Sequence, residues 1–126
     1  MIVAGFGSKR GVSAEDVLAA LDAALARAGL VRTDVNVVAT PAVKGGETGI
    51  SEAAAQLNLP LVLVPSTRLE ACASRAQTHS ERVVALFRVP SVAETAALAA
   101  GGEAARLMGP RIALGPVTCA LVEAGS

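Results

Sequence analysis

The chain has 126 residues, with 11 Lys and Arg against 11 Asp and Glu, so its formal net charge is zero. This length fits one domain, residues 1–126, and neutrality argues against a sequence-independent nucleic-acid binder, which needs basic charge to displace counterions. Aromatic residues make up only 2% of the chain, which also argues against a stacking platform for single strands. No apolar run approaches the ~20 residues needed to cross a bilayer, and no signal peptide is recognisable. Composition therefore predicts a cytoplasmic protein without nucleic-acid or membrane partners.

The first half of the chain predicts strands that alternate with helices. Residues 2–4 form a short apolar run that is typical of a buried strand and ends at Gly5. Ser13 is placed to cap a helix whose apolar face continues to Gly29, a residue that favours the end of a helix. Residues 34–39 are rich in β-branched side chains and predict a second strand. Next come a short helix over 50–57 and a buried strand over 61–64.

The second half predicts further helices and then a hairpin. Thr67 and Glu70 have the spacing of a capping box, which predicts a helix over 68–76. Ser91 and Glu94 repeat that spacing before an Ala-rich stretch, the clearest helix start in the chain. The other elements are a short helix from Ser80 to Phe87 and two antiparallel strands, 111–114 and 117–122, joined at Gly115-Pro116. This order predicts an α/β three-layer sandwich with a mixed, mostly parallel sheet and helices on both faces.

The glycine-rich segment 5–13 lies between the first predicted strand and the first predicted helix. Such a turn presents backbone N–H groups and a helix N-terminus to an anion, and Lys9 and Arg10 add two cations. It lacks the Gly-Lys-Ser/Thr of a P-loop, and its third glycine falls one residue too late for a dinucleotide-binding fingerprint. We interpret it as an anion-binding loop, with a turn that carries solvated charges as the alternative. The candidate binding residues are Gly5, Gly7, Ser8, Lys9, Arg10 and Gly11.

A second candidate segment, residues 39–49, follows the second predicted strand. If that strand runs parallel to the first, both segments emerge at one edge of the sheet, where open α/β proteins bind ligands. Lys44 and Glu47 would then face a common cleft, with Gly49 beside them. The alternative is a surface ion pair that contributes at most about 1 kcal/mol to stability.

Two weaker candidates lie in the second half of the chain. Ser91 and Glu94 are fully explained as a capping box, although the same helix N-terminus would contribute to the cleft if it faced that edge of the sheet. Arg111, at the start of a predicted strand, would add one more cation. His79 is the only histidine, and the two cysteines are too few for a zinc site, so we predict no metal and no cofactor. No nucleophile–base pair is recognisable.

Four motifs follow one another along nearly the whole chain. They are Gly5-x-Gly7-x-x-Arg10-Gly11, Lys44-x-x-Glu47-x-Gly49, Ser91-Val92-Ala93-Glu94-x-Ala96-Ala97-Leu98 and Ile112-Ala113-Leu114-Gly115-Pro116-Val117-Thr118-Cys119-Ala120. In this order they resemble the cobalamin-biosynthesis family that contains CobE and the C-terminal domain of CbiG, and the length is that of a free-standing CobE. Two positions depart from the family pattern. Arg111 stands where Lys is common, which would impair a role that needs a titratable amine, and Val89 stands near a common Gly, where a positive φ would be strained.

The resemblance implies a role in corrin-ring assembly, in which the chain binds or assists processing of a polycarboxylate precorrin, a tetrapyrrole intermediate of the aerobic pathway. The acetate and propionate groups of such a ligand suit a basic cleft. Its cations would be Lys9, Arg10, Lys44 and Arg111. The alternative is a hydrolase that opens the ring-A lactone of a (cobalt-)precorrin with loss of a two-carbon fragment, with Glu47 and Lys44 as catalytic residues. Other corrin-pathway enzymes are candidate partners, and both a monomer and a small homo-oligomer remain open.

Overall fold

The computed structural model describes residues 1–42 and 47–125, so the predicted site residue Lys44 lies outside the described residues. Within these ranges the chain forms six strands and five α-helices. The strands are β1 (Ile2–Ser8), β2 (Val35–Pro41), β3 (Leu61–Val64), β4 (Arg106–Leu107), β5 (Ile112–Leu114) and β6 (Val117–Glu123). The helices are α1 (Ala14–Ala28), α2 (Thr48–Leu57), α3 (Ser66–Ala71), α4 (Glu81–Phe87) and α5 (Val92–Gly101).

The sheet is mixed. Its strand order is β3-β2-β1-β6-β4, and β5 also pairs with β6. β1, β2 and β3 run parallel, whereas β6 is antiparallel to β1. The hairpin of β5 and β6 is confirmed. Because β1 and β2 are parallel, the segments that follow them emerge at the same edge of the sheet, as the sequence predicted.

Each face of the sheet has its own hydrophobic core. On one face, α1 and α2 pack over a cluster that includes Phe6, Leu21 and Ile50, each at most 1% exposed. On the other face, α5 and α3 enclose a cluster that includes Leu69 and Leu98. Burying a side chain of this size contributes ~1.5–3 kcal/mol relative to leaving it in water. Helices therefore cover both faces, and the predicted three-layer α/β fold is confirmed.

Local sequence signals fix both ends of α1. The Ser13 hydroxyl accepts a hydrogen bond from the Asp16 N–H (3.1 Å), and the Asp16 carboxylate accepts one from the Ser13 N–H (3.3 Å). Gly29 ends the helix with a φ of 72°, a left-handed conformation that glycine adopts without a steric penalty. The predicted helix is therefore confirmed at its start and at its end.

β1 is longer than the sequence predicted. The loop predicted from Gly5 onward is wrong for Gly5 and Gly7, which are strand residues paired with β6. The local pattern could not reveal this, because the partner strand comes from the far end of the chain. A Cβ atom on Gly5 would overlap the carbonyl oxygen of Ala93 and lie 2.7 Å from the Cβ of Ala97. Glycine at this position therefore lets α5 pack directly on the backbone of β1.

α3 begins earlier than predicted and lacks the expected capping box. It starts directly after Pro65 without a side-chain cap hydrogen bond and ends at Ala71, before a short 3₁₀ helix. Thr67 and Glu70 lie inside the helix, so their spacing did not locate its start. Proline has no N–H to leave unpaired, which suits it to the start of a helix. β4, which has only two residues, was too short to give a periodic signal.

α4 and α5 differ sharply in burial. None of the α4 residues is buried, whereas residues 92–99 of α5 all are. No single helix in the described ranges is long and apolar enough to cross a membrane; α4 and α5 meet that criterion only as a pair, which is bent by 59°. α5 is therefore a core helix between the sheet and α3, and α4 lies at the surface.

Both cysteines are inside the protein. Cys119 lies on β6 opposite Phe6 of β1 and is fully buried. Burial in an apolar environment raises the pKa of the Cys119 thiol far above its ordinary value, so the side chain stays neutral. It packs as a small apolar residue, as the sequence predicted.

Candidate functional site

A cleft of about 1060 Å³ opens at the edge of the sheet where β1 and β2 end. This volume lies slightly above the ~300–1,000 Å³ that is usual for small-molecule sites, so the cleft has room for a large ligand. Gly7 and Ser8 at the end of β1, and Thr40 at the end of β2, form the side nearest the sheet. α4 and the turn between β5 and β6 form the other walls. This is the edge at which the sequence predicted a binding site.

Basic residues outnumber acidic residues in the lining. Among the described residues, five Lys and Arg residues line the cleft against two Glu residues. The bases are Lys9, Arg10, Arg82, Arg88 and Arg111, and the acids are Glu47 and Glu70. Within residues 1–42 and 47–125, none of these bases forms an ion pair with an acidic side chain. The cleft therefore presents a concentrated positive charge, although the chain as a whole is neutral.

The loop that carries Lys9 and Arg10 is held from two sides. The Lys9 N–H donates to the carbonyl oxygen of Pro116 in the turn between β5 and β6 (3.0 Å). The Gly11 N–H donates to Oε1 of Glu47 (3.0 Å). The structure thus brings together the two glycine-rich segments that the sequence singled out. Glu47 lies in the cleft with one carboxylate oxygen oriented by the loop backbone.

α4 supplies the part of the lining that sequence reasoning missed. Its contributions are Arg82, Val83, Leu86, Phe87 and, at its end, Arg88. Arg82 and Leu86 are four residues apart, as are Val83 and Phe87, so both pairs lie on neighbouring parts of one helix face. That periodicity was readable in the sequence. The sequence did not reveal that this face of α4 lines the cleft, because the orientation of the helix depends on how the segment before α4 is anchored.

Arg88 combines a cleft position with a left-handed backbone conformation. It ends α4 with a φ of 62°, a value that costs an L-residue ~1–2 kcal/mol relative to the right-handed region. Val89, where valine disfavours a positive φ, has none and is fully buried. The left-handed residue is Arg88, one position before Val89. The fold therefore holds the Arg88 side chain in the cleft at a cost in backbone energy.

Three glycines that were predicted to bind a ligand have structural roles instead. Gly5 lies beneath α5, and a Cβ atom on Gly49 would overlap the carbonyl oxygen of Val12, so Gly49 lets α2 approach the segment before α1. Gly11 has a φ of 78° and holds Glu47 through its N–H. None of the three lines the cleft, whereas Gly7 does.

Ser91 and Glu94 are not part of the cleft lining, which corrects the expectation of direct ligand contact. Both are 0% exposed, so a molecule in the cleft does not reach them. The Ser91 hydroxyl accepts the Glu94 N–H (3.3 Å), which is one half of the predicted capping box. The Glu94 carboxylate does not complete the box, because it accepts hydrogen bonds from Gln77, Thr78 and Arg111.

Metal-ligating side chains do not cluster in the described part of the chain. No group of three His, Cys, Asp or Glu side chains is found there in an arrangement that could hold a metal ion. His79 lies at the surface with its Nε2 3.2 Å from Oε1 of Glu81, and its side chain is 64% exposed. The arrangement in the cleft is thus one of cations and apolar side chains, which suits binding of an anion.

Comparison with known proteins agrees with the sequence motifs. Residues 2–122 match the family described as "Cobalamin synthesis G C-terminus". The chain is 37% identical over 120 residues to Protein CobE from Sinorhizobium sp., covering 95% of this chain and 78% of that protein. Two solved structures are similar. One is CobE, a protein from the cobalamin (vitamin B12) biosynthetic pathway, with a TM-score of 0.91 and 29% identity over 97% of this chain and 89% of that chain. The other is cobalamin biosynthesis protein chiG from Agrobacterium tumefaciens, with a TM-score of 0.79 and 36% identity over 100% of both chains.

Proposed function

Since the chain belongs to the cobalamin-biosynthesis family of CobE and the CbiG C-terminus, and so takes part in cobalamin biosynthesis, we propose that its cleft binds a polycarboxylate precorrin intermediate. In this role the protein holds or delivers the tetrapyrrole, or assists its processing, in the aerobic pathway. The observation that carries the proposal is the charge of the cleft. Five basic side chains against two acidic ones line a cavity of about 1060 Å³ in a chain of zero net charge.

The rim of a precorrin suits these cations. Its acetate and propionate groups are carboxylates, and each of them can accept a charge-assisted hydrogen bond from Lys or Arg. Lys9 and Arg10 approach from the loop after β1, whereas Arg82 and Arg88 approach from α4. The cations therefore lie on different sides of the cleft, as an anion with carboxylates around its circumference requires.

The faces of the macrocycle need apolar contacts. Phe6 is buried in the core and cannot take part, but Phe87 lies in the cleft with Val83 and Leu86. Leu86 is 67% exposed, so its apolar surface is open to a ligand in the cleft. A flat ligand that covered this face of α4 would bury the Leu86 side chain. The low aromatic content of the chain therefore does not prevent contact between one ring and the macrocycle.

Absorbance titration of the purified protein tests the proposal. Precorrin intermediates and the stable octacarboxylate uroporphyrin are expected to give a shifted absorption band at one-to-one stoichiometry. Protoporphyrin, a dicarboxylate with a related ring, is expected to bind at least about tenfold more weakly, because it lacks most of the rim carboxylates. Absence of a shift with all of these ligands at high protein concentration, or equal affinity for the two porphyrins, would overturn the proposal.

Replacing Arg88 by glycine is expected to stabilise the fold and to weaken binding. Glycine relieves the left-handed strain, which should raise the free energy of unfolding by about 1 kcal/mol. Loss of one charge-assisted contact should lower the affinity for uroporphyrin about tenfold. Urea denaturation and titration measure the two effects separately.

Asn58 provides the matched control for Arg88. It has a φ of 57° at the end of α2 and does not line the cleft. Asn58→Gly should change stability less, because Asn tolerates this conformation, and should leave the affinity for uroporphyrin unchanged. An R88G variant that binds as tightly as the wild type would contradict a ligand contact by Arg88.

One observation favours a hydrolase as the second candidate. Glu47 lines the cleft, and its Oε1 accepts a hydrogen bond from the Gly11 N–H, so the carboxylate is held in a fixed orientation at the cleft wall. It could act as a general base on water, while Lys9 or Arg10 stabilises the negative charge that develops on opening of the ring-A lactone.

Acetaldehyde release from a lactone-bearing precorrin tests this second candidate. Glu47→Gln keeps an oxygen to accept the Gly11 N–H but removes the base, so turnover should fall at least about 100-fold while binding is retained. If the wild-type protein gives neither ring opening nor acetaldehyde, the hydrolase is excluded and binding alone stands.

A further inference from the structure

Glu94 does not line the cleft, yet it is bonded to two segments that form the cleft walls. Its side chain is 0% exposed. Oε1 accepts hydrogen bonds from the N–H groups of Gln77 (2.7 Å) and Thr78 (2.9 Å). Oε2 accepts from the Thr78 hydroxyl (2.6 Å) and from the Arg111 N–H (2.8 Å). Each carboxylate oxygen thus accepts two hydrogen bonds, which offsets the cost of burying a charge.

We infer that Glu94 is a positioning residue that sets the spacing between α4 and Arg111 across the cleft, and thereby selects ligands by the spacing of their carboxylates. The inference rests on the proposed function, because it concerns how the same cleft recognises a polycarboxylate macrocycle. Glu94 itself touches no ligand in this role. It acts through the backbone of the segments that carry the cations.

The position of α4 depends on the anchors at its base. No residue of α4 is fully buried, and within the described chain its apolar packing on the core is limited to the partly buried Val83 and Phe87. The segment before it is attached at two points: to the Glu94 carboxylate, and through the Ser80 N–H, which donates to the carbonyl oxygen of Pro90 (2.9 Å). The positions of Arg82 and Arg88 therefore depend on these two attachments together with the packing of Val83 and Phe87.

The second wall depends on the same carboxylate. Arg111 donates its backbone N–H to Glu94 and is itself one of the residues that line the cleft. It leads directly into β5, and the turn that follows β5 accepts the Lys9 N–H through Pro116. A single carboxylate on α5, which is packed on the sheet, thus fixes both α4 and the start of the β5–β6 hairpin.

These contacts exceed what a helix cap requires. A capping box would bond the Glu94 carboxylate to the Ser91 N–H, but its donors all come from segments outside α5. The first turn of a helix favours a negative charge, which explains why the carboxylate is tolerated there. It does not explain why the partners are the two walls of the cleft.

Glu94→Gln tests the inference, because it keeps the size of the side chain but places an amide NH₂ against hydrogen-bond donors. The affinity for uroporphyrin is expected to fall about tenfold. The preference for uroporphyrin over the tetracarboxylate coproporphyrin should shrink, and the backbone amides of α4 should exchange faster with solvent. A general loss of stability would not change the preference between the two porphyrins.

Thr95→Val is the matched control. Thr95 is the next residue on α5 and is also fully buried, but its hydroxyl donates within the same helix end, to the carbonyl oxygen of Ser91 (2.7 Å). This variant should retain the wild-type affinity and preference to within about twofold. Equal losses in Thr95→Val and Glu94→Gln would assign the effect to α5 stability and overturn the inference.

Thr78→Val keeps the test open if Glu94→Gln does not fold. It removes one of the four hydrogen bonds to the Glu94 carboxylate, so the expected loss of affinity is about threefold, again with a reduced preference for uroporphyrin.

Wild-type affinity and preference in the Glu94→Gln and Thr78→Val variants would overturn the inference while leaving the proposed function intact. Failure of the wild-type protein to bind uroporphyrin or the precorrins would overturn the proposed function. Unchanged amide exchange in α4 would by itself overturn the positioning role.

Discussion

Replacing Lys9 and Arg10 together by alanine is expected to lower the affinity for uroporphyrin by about 100-fold. Both residues lie on the loop after β1 and line the cleft. If each makes one charge-assisted hydrogen bond to a rim carboxylate, at about 1.5 kcal/mol each, losing both costs about 3 kcal/mol of binding free energy. The fold should persist, because the Lys9 N–H that bonds to Pro116 is a backbone group that alanine retains.

A second double variant separates local contacts from net charge. Arg32→Ala with Arg106→Ala removes the same charge from residues that do not line the cleft; Arg32 pairs with Asp22 (2.8 Å) and Arg106 with Glu123 (3.6 Å). At 0.15 M salt the Debye length is about 8 Å, so this variant should bind uroporphyrin within about threefold of the wild type. Equal losses in the two double variants would refute the cleft assignment. If substitution of Lys9 and Arg10 leaves the affinity unchanged, the loop is a turn with solvated charges and does not bind the ligand.

Gly5→Ala is expected to lower the free energy of unfolding by about 3 kcal/mol, the upper part of the usual range for overpacking a core. Gly5 lies in the middle of the sheet, between β2 and β6, with α5 directly above it. An added methyl group would overlap the carbonyl oxygen of Ala93 and lie 2.7 Å from the Cβ of Ala97. Because both neighbours belong to a buried helix, the sheet and α5 would have to separate. Urea denaturation followed by circular dichroism measures the loss.

Gly29→Ala shows what backbone strain costs without a clash. Gly29 has a φ of 72°, and no described atom lies within 4 Å of the place where its Cβ would be. We expect a loss of about 1 kcal/mol from the left-handed conformation alone. A Gly5→Ala variant that is no less stable than Gly29→Ala would show that α5 does not pack on the β1 backbone as closely as described.

Features that depend on neighbours in sequence could be predicted from the chain alone. The ends of α1 follow from Ser13 and Gly29, and the turn of the β5–β6 hairpin follows from Gly115-Pro116. The parallel strands β2 and β3 were readable from their β-branched and apolar side chains. β3 has the predicted ends, whereas β2 begins one residue later and ends two residues later than predicted. In each case the determining interactions lie within a few residues of one another.

Features that depend on distant segments could not be predicted. The spacing of Ser91 and Glu94 indicated a helix start, but nothing local reveals that the Glu94 carboxylate would accept hydrogen bonds from Thr78 and Arg111. Gly5 was predicted to begin a loop. Glycine is required there because α5 packs against the β1 backbone, and the residues of α5 are about ninety positions away in sequence. The contribution of α4 to the cleft was missed for the same reason.

The central position of β6 has a consequence for how the protein is made. Residues Val117–Glu123 pair with Ile2–Ser8, so β1 has no partner on that side until nearly all of the described chain has been synthesised. Contacts between segments so far apart in sequence form slowly, and the uncovered edge of β1 offers unpaired N–H and C=O groups to other unfinished chains. The cleft, which needs the turn before β6 to hold the Lys9 loop, cannot assemble earlier. A nascent chain therefore has no ligand-binding capacity to help it fold, and its yield should depend on protection of β1 during translation.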